Sequence, residues 1–359
     1  MRVGMICPYS LSVPGGVQEQ ALSLARALRI RGVDVRVLAP CDGPPPDSGI
    51  TTLGASLPTA ANGSIAPIAP DLPAQIRLVK ALWNEEFDVL HLHEPLAPGI
   101  GITTVLMQAA PMIGTFHAAG RSSAYRWVNR GCRSLRARLK IACAVSTDAE
   151  TLATKWLGGT YERVFNGIEI DRFANASPHD TSVPTILFLG RHDERKGLRV
   201  LLEAAQGLGP DVAIWIAGNG EQTEQLRVEF GADSRIEWLG RITDADKRSR
   251  LAGATVLCAP SLGGESFGIV LLEAMATGTA IVASDIDGYR QLVRHGADAA
   301  LSPPGDVAAL QTALATALAG GAEVDARVES GRARADEFSM SALADLYLEK
   351  YERVLTAAS

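Results

Sequence analysis

Residues 261–279 read SLGGESFGIVLLEAMATGT and follow a short apolar run, 255–260. An apolar strand, a glycine-rich turn and a helix in that order are one way to build an anion site. Gly263 and Gly264 let the backbone turn tightly and approach a ligand, and the first free N–H groups of the following helix, around Ser266 to Gly268, point outward. Phosphate is the natural occupant of such a site. Glu265 and Glu273 bracket the segment with seven residues between them, which at 3.6 residues per turn sets Glu273 about two helical turns in. One carboxylate can then meet a sugar and the other a ribose. Taken singly, either glutamate reads more plainly as a helix-terminal charge or a solvated face residue. The pair becomes specific in company with the double glycine, the Phe267-Gly268-Ile269 step and the small-residue tail Ala274, Ala276 and Gly278.

Further residues point to the same chemistry. Gly190-Arg191 closes the apolar run 185–189, and Lys196-Gly197 opens the next helical stretch. Arg191 and Lys196 can both reach a diphosphate at the end of such a strand, one as a planar fork and one as a point charge. In the first half, Gly15 and Gly16 lie between the strand-like run 3–6 and an amphipathic stretch, 18–31, whose inner face is Ala21, Leu24, Ala25 and Leu28. A glycine-rich loop at the carboxyl end of a first strand is where open α/β sheets bind ligands. The G-x-G-x-x-G spacing is missing, so a dinucleotide site is not indicated. His117 ends the run 112–116 and falls at the same kind of position. His91 and His93, at period two on a strand, share one face with no third ligand in view, so no metal site is predicted. The pairs Asp244/Asp246 and Asp285/Asp287 read as turn and helix-cap chemistry.

The elements that must position these residues follow from hydrophobic patterning. Short β-rich runs alternate with helical ones through both halves of the 359 residues, the signature of a parallel α/β sheet in each of about two domains. A 47% hydrophobic content is ample for two cores, and a net charge of -6 argues against a nucleic-acid partner. Five cysteines without C-x-x-C spacing read as buried packing thiols of a reducing cytosol. The first residues enter a strand directly, with no leader pattern. The uncharged run 95–116 is long enough to span a bilayer, but Pro98-Gly99, Gly101, Pro111 and Gly114 make it a turn, a short helix and a strand. The stretch 41–73 reads mostly as loop. Residues 121–140 carry seven cations and no acid, with Tyr125, Val128, Cys132, Leu135 and Leu139 at helical spacing. Such a helix either lies on anionic lipid or packs inward with its arginines solvated.

Taken together, CPYS at 7–10, VPGGVQ at 13–18, FDVLHLHEPLAP at 87–98, GTFH at 114–117, G-R-x4-K-G at 190–197 and the segment 261–285 resemble retaining glycosyltransferases of the two-Rossmann-domain (GT-B) type, family 4. Within that family they are most similar to the phosphatidylinositol mannosyltransferases of actinobacteria. The resemblance covers essentially the whole chain. It implies two Rossmann-like domains facing a central cleft: an acceptor domain at 1–170, a nucleotide-sugar donor domain at 171–338, and a terminal helix at 339–359 crossing back. It further implies a donor, GDP-mannose, held by Gly15, Gly16, Arg191, Lys196, Ile242, Lys247, Glu265, Ser266, Phe267, Gly268, Ile269 and Glu273. His117 and Glu265 would meet the sugar, with Arg191 and Lys196 on the leaving diphosphate. Tyr9, Asn62, Gly63 and Ser64 would meet the inositol of phosphatidylinositol at the cytoplasmic face of the membrane. No tightly bound cofactor and no metal ligand set is implied, and a divalent cation would at most assist. The acceptor side departs from the family pattern: Ala61 stands where an aromatic residue is usual, Ala66-Pro67 where a basic residue follows, and Ala118 where a hydroxyl residue follows the histidine. A soluble acceptor, an inositol phosphate or a saccharide, with another nucleotide sugar is therefore the alternative.

Overall fold

Alternation of β-branched runs with amphipathic helices produces two parallel sheets, each in its own unit of the chain: Met1–Gly167 with Met340–Ser359, and Ile168–Ser339. The computed structural model describes residues 1–359 apart from 14, 62–63, 119–129, 266, 291, 295 and 357–359.

The first unit begins with β1 (Arg2–Ile6), α1 (Gly16–Ile30), β2 (Asp34–Ala39) and β3 (Ile50–Thr52). A hairpin of β4 (Leu57–Ala61) and β5 (Ser64–Ile68) follows, then α2 (Leu72–Asn84), β6 (Val89–His93), α3 (Ile100–Met107) and β7 (Met112–Phe116). After α4 (Arg130–Arg136) come β8 (Ile141–Ala144), α5 (Thr147–Leu157) and β9 (Glu162–Arg163). The parallel sheet runs β3-β2-β1-β6-β7-β8-β9, so strand order reverses between β1 and β6. All five residues of β6 and of β7 are buried, as expected of strands covered on both faces. The inner face of α1 is the expected one, with Ala21, Leu24, Ala25 and Leu28 buried.

The stretch 41–73 is more ordered than a loop. It contains β3 and the antiparallel hairpin, in which Pro58 stands opposite Pro67. Proline removes a ladder donor and disguises a strand in sequence, whereas Asn62-Gly63 between two short runs is the usual two-residue hairpin signal.

The second unit contains α6 (Ile170–Ala174), β10 (Thr185–Leu189), α7 (Leu198–Ala205), β11 (Ala213–Ala217), α8 (Thr223–Phe230) and β12 (Ile236–Gly240). It continues through α9 (Asp244–Gly253), β13 (Val256–Ala259), α10 (Ile269–Thr277), β14 (Ala280–Ser284), α11 (Asp287–Arg290), β15 (Ala300–Ser302), α12 (Val307–Ala319) and α13 (Ala322–Glu337). Its parallel sheet is ordered β12-β11-β10-β13-β14-β15, with the reversal between β10 and β13. Two glycines make the strand ends possible. Gly218 (φ +121) lies against the Gly190 carbonyl and Gly197 (φ +69) against the Pro260 carbonyl, so a side chain at either would collide with backbone.

The last helix, α14 (Met340–Thr356), returns to the first unit. It buries Leu343, Ala344, Tyr347, Tyr351 and Val354 and packs along α1. Arg31 grips its first turns through the Ser341 carbonyl (2.7 Å) and Asp345. At its other end Glu162 accepts from Arg353 (2.8 Å) and from the buried Lys350 (2.5 Å). Those hydrogen bonds, Arg353's first, pull the Glu162 carboxyl down to about 2. Among the described residues no single helix is long and apolar enough to cross a membrane. Replacing Glu162 by Gln leaves the Lys350 ammonium buried without its carboxylate. Glu162→Gln should therefore cost the first unit about 1–3 kcal/mol, read as a lowered urea midpoint at unchanged slope.

Candidate functional site

In the second unit the loops that leave β10 and β13 meet where strand order reverses, the place at which open α/β sheets take ligands. Asp193 caps a 3-10 turn, Glu194–Lys196, by accepting from the Lys196 N–H. That turn aims two consecutive cations at one carboxylate. Lys196 Nζ lies 2.7 Å and Arg195 Nη1 2.8 Å from Glu265 Oε1, and Ser261 Oγ donates to the same oxygen at 3.2 Å. Backbone ties hold the two loops together: Leu262 N–H donates to the Arg195 carbonyl (2.8 Å), and Arg195 donates to the Gly264 carbonyl (3.0 Å).

Arg191 is not part of this cluster. Its side chain is 53% exposed and pairs with Asp193 in its own loop (3.0 Å), while the Glu265 side chain is only 12% exposed. Arg195, which the sequence analysis did not name, is the arginine that stands beside Glu265. It sits inside the G-R-x4-K-G spacing, one residue from Lys196, so the signal was its charge in that loop.

The glycine-rich turn ends later than expected. Gly263, Gly264 and Gly268 all take positive φ, and Gly268 caps a helix that starts at Ile269. Glu273 is thus the fifth residue of α10, little more than one turn in and not two, because the left-handed cap spends three residues outside the helix. Ser266 lies outside the described residues. The Phe267 ring is buried against Phe338 (centroids 5.5 Å), so this residue offers a ligand its main chain and not its ring. Glu273 is buried and accepts from Lys247 Nζ at 2.5 Å across from α9, which brings two of the expected donor residues together. Ile242 is half-buried just ahead of α9, and Ile269 is half-buried at the start of α10.

In the first unit, Gly15 caps α1 without a side-chain bond, and Gly16 opens the helix with nothing within 4 Å of where a side chain would be. Exposed N–H groups there can meet an anion. Tyr9 forms an antiparallel bridge to Ile68, and Ser10 N–H bonds the Pro67 carbonyl (2.8 Å), so the loop after β1 is stitched to the hairpin. Ser64 begins β5; Asn62 and Gly63 lie outside the described residues.

His117 is half-buried at the end of β7 and heads a chain of polar groups running inward. Its Nε2 is 2.9 Å from His93 Nδ1. His93 stacks on His91 (4.7 Å), which bonds Tyr351 (2.7 Å) and Thr115 (2.8 Å), and Thr115 bonds Tyr347 (2.7 Å). The two strand histidines share a face, as their spacing requires, and the groups they bond are aromatic and hydroxyl. Glu94, with a left-handed backbone (φ +47), turns a buried carboxylate onto the N–H groups of His117 (2.6 Å) and Ala118 (2.5 Å). Neither Glu94 nor His93 was singled out for this role in the sequence, because their partners lie on another strand. Burial keeps the whole row neutral: it pushes His117 down to about 4, His91 to about 3, and His93 well below the ordinary value.

Of the basic segment, 119–129 lies outside the described residues. The remainder is tied into the first unit. Leu139 is buried, and Arg133, Arg136 and Arg138 donate to the carbonyls of Trp156, Thr160 and Leu106. Among the described residues no cluster of three His, Cys, Asp or Glu could hold a metal ion.

Two family models match this chain, one described as Glycosyltransferase Family 4 over residues 14–172 and one as Glycosyl transferases group 1 over residues 183–320. A phosphatidyl-myo-inositol mannosyltransferase of Mycobacterium leprae is 39% identical, across 100% of this chain and 98% of its own. One from Propionibacterium freudenreichii subsp. shermanii is 33% identical across 98% and 94%. Among solved structures, Anabaena Alr3699/HepE in complex with UDP and glucose superposes with a TM-score of 0.76 at 17% identity, over 98% of this chain and 100% of that one. WaaG, a glycosyltransferase involved in lipopolysaccharide biosynthesis, does so at 0.69 and 17%, over 98% and 99%.

The neutral histidine row has a consequence for pH. An unfolded imidazole binds a proton near 6.5 that the folded one refuses until about 4 for His117 and about 3 for His91. The stabilisation they contribute is therefore complete above about pH 6.5 and is lost as pH falls from there through the folded values. The denaturation midpoint of the first unit should drop between pH 7 and 5, and the drop should be shallower in His117→Gln, which removes one such group.

Proposed function

The chain belongs to the family 4, group 1 glycosyltransferases, and from that membership we propose that it moves mannose from GDP-mannose to the inositol of phosphatidylinositol with retention of configuration. It is a hexosyltransferase. The observation that carries the donor half of the proposal is the convergence of Lys196 and Arg195 on Glu265 at the strand-order reversal of the second sheet. A nucleotide sugar leaves as a nucleoside diphosphate, and the bond between C1 and the β-phosphate oxygen breaks as charge builds on that oxygen. Two fixed cations there stabilise the charge as it develops, without reorganisation. The N–H groups at the start of α10 add a positive helix end. Arg191, exposed in the same loop, is free to swing from Asp193 to the distal phosphate.

Glu265 has one oxygen engaged by both cations, which favours its acting as a hydrogen-bond acceptor for a sugar hydroxyl over its acting as a nucleophile. The bond from the acceptor oxygen then forms on the face the diphosphate leaves, and the departing phosphate oxygen takes the acceptor proton. His117 meets the sugar. Glu273 holds the ribose of the donor, Ile242 and Lys247 lie on the side of its base, and Gly15 and Gly16 meet its phosphate and sugar. Tyr9 and the hairpin tip, with Asn62, Gly63 and Ser64, form the inositol side. The cytoplasmic leaflet is the proposed location, with the basic segment 121–140 as the candidate contact with anionic lipid. No tightly bound cofactor and no metal is needed, since fixed cations already face the diphosphate.

The full-length likeness to proteins named phosphatidyl-myo-inositol mannosyltransferase supports the acceptor. Ala61 and Ala118, small where that family has an aromatic and a hydroxyl residue, favour as second reading a soluble inositol phosphate or saccharide acceptor. Incubation of the protein with GDP-mannose, UDP-glucose or UDP-N-acetylglucosamine and phosphatidylinositol vesicles distinguishes these: lipid labelled from GDP-mannose alone is expected. Donor turnover without labelled lipid would discard the acceptor. Glu265→Ala should lower turnover about a hundredfold or more with the melting temperature little changed, and near wild-type turnover would sink the assignment. Lys196→Ala should do the same, whereas Arg191→Ala should chiefly weaken donor binding.

A further inference from the structure

His93 is buried, and its two ring nitrogens stand in unequal surroundings. Nδ1 is 2.9 Å from His117 Nε2, while Nε2 is buried and no described residue offers it a hydrogen-bond partner. A neutral imidazole carries one proton, and its tautomer follows from the bonds its nitrogens make. A buried N–H left without an acceptor is rarer than a buried lone pair left without a donor. The proton of His93 therefore belongs on Nδ1. Between two neutral rings only one hydrogen can occupy the shared bond, so His117 Nε2 accepts it and the proton of His117 sits on its own Nδ1. The Asn166 side chain favours the protonated His117 ring, while its buried oxygen makes no hydrogen bond with any described residue, so the Nδ1–H of His117 is not taken up there.

We propose that His93 is a positioning residue, donating from Nδ1 to His117 Nε2 and so holding His117 as the neutral tautomer protonated on Nδ1. Glu94 fixes the same ring from its backbone by accepting from the His117 N–H. Behind His93, His91 is held on both nitrogens by Tyr351 and Thr115, so the stack cannot rotate to exchange partners without breaking those bonds. The ring at the end of β7 thus presents an N–H and withholds a basic lone pair. It suits the oxygen of a sugar hydroxyl as partner and does not suit deprotonation of an acceptor alcohol. That last step rests on the placement of the sugar at His117 under the proposed function.

The test is long-range 15N–1H correlation spectroscopy on the full-length chain with 15N-labelled histidine, with the His117 signals assigned from His117→Gln. The expected result is His117 as the Nδ1–H tautomer in the wild type. In His93→Phe it should revert to the Nε2–H form usual for free imidazole, with kcat/KM down about tenfold, the scale of one hydrogen bond. In His93→Asn, whose amide N–H2 replaces the Nδ1 donor, both tautomer and kcat/KM should be restored. An Nε2–H tautomer in the wild type overturns the proposal, whether or not the Phe variant folds. So does a His117 spectrum unchanged by His93→Phe. The contact between His117 and sugar stands or falls separately: full transfer activity in His117→Ala would remove it and leave the tautomer assignment to the spectra.

Discussion

One carboxylate oxygen organises the second unit's working end. Glu265 Oε1 draws Arg195, Lys196 and Ser261 to a single point, and through them it ties the loop after β10 to the loop after β13. Those loops have almost no regular structure of their own, so their relative position depends on such cross-links and on glycines that let backbones touch. A partly buried ion cluster contributes little net stability, since desolvating the charges offsets most of their attraction. Its value lies in arrangement: two cations are held in place before any substrate arrives. Under the proposed function a leaving diphosphate would meet cations already gathered, which is the condition for electrostatic stabilisation of a leaving group.

The first unit solves a different problem, that of placing a neutral ring at a strand end. Three histidines in a row would repel one another if charged, and burial in a row of aromatic and hydroxyl groups removes the charge. Tyr351, which bonds the inner histidine, and Tyr347, which bonds its partner Thr115, come from α14, the last element of the chain, so the final seventeen-residue helix is part of the support of a residue at the end of β7. Tyr347 and Tyr351 are four apart and present one face of that helix to β6 and β7. The Glu162–Lys350–Arg353 cluster and the grip of Arg31 on Ser341 and Asp345 then secure the two ends of the same helix.

Much of this was legible in the residues themselves. Period-two and helical patterning marked the strands and the helices between them, and the glycine-rich turn was visible ahead of its helix, because both depend on local backbone geometry. The reading failed where local cues conflicted. Pro58 and Pro67 concealed a hairpin that Asn62-Gly63 announced. A left-handed Gly268 delayed a helix that composition alone would start earlier. Of two arginines near one lysine, Arg191 pairs with Asp193 and is half exposed while Arg195, four residues on, faces Glu265, a choice that the capped 3-10 turn makes and the spacing does not.

What the sequence determined by itself was the class of fold, the two-part alternation and the family resemblance carried by its motifs, since residue type and spacing set secondary structure at short range. What only the tertiary structure decided was partnership. That Glu265 shares one oxygen with Arg195 and Lys196, that Lys247 pairs with Glu273, and that His93 meets His117 all depend on parallel strands bringing together residues 24 to 70 positions apart. Such pairings follow from sheet register and strand order, which no local pattern encodes.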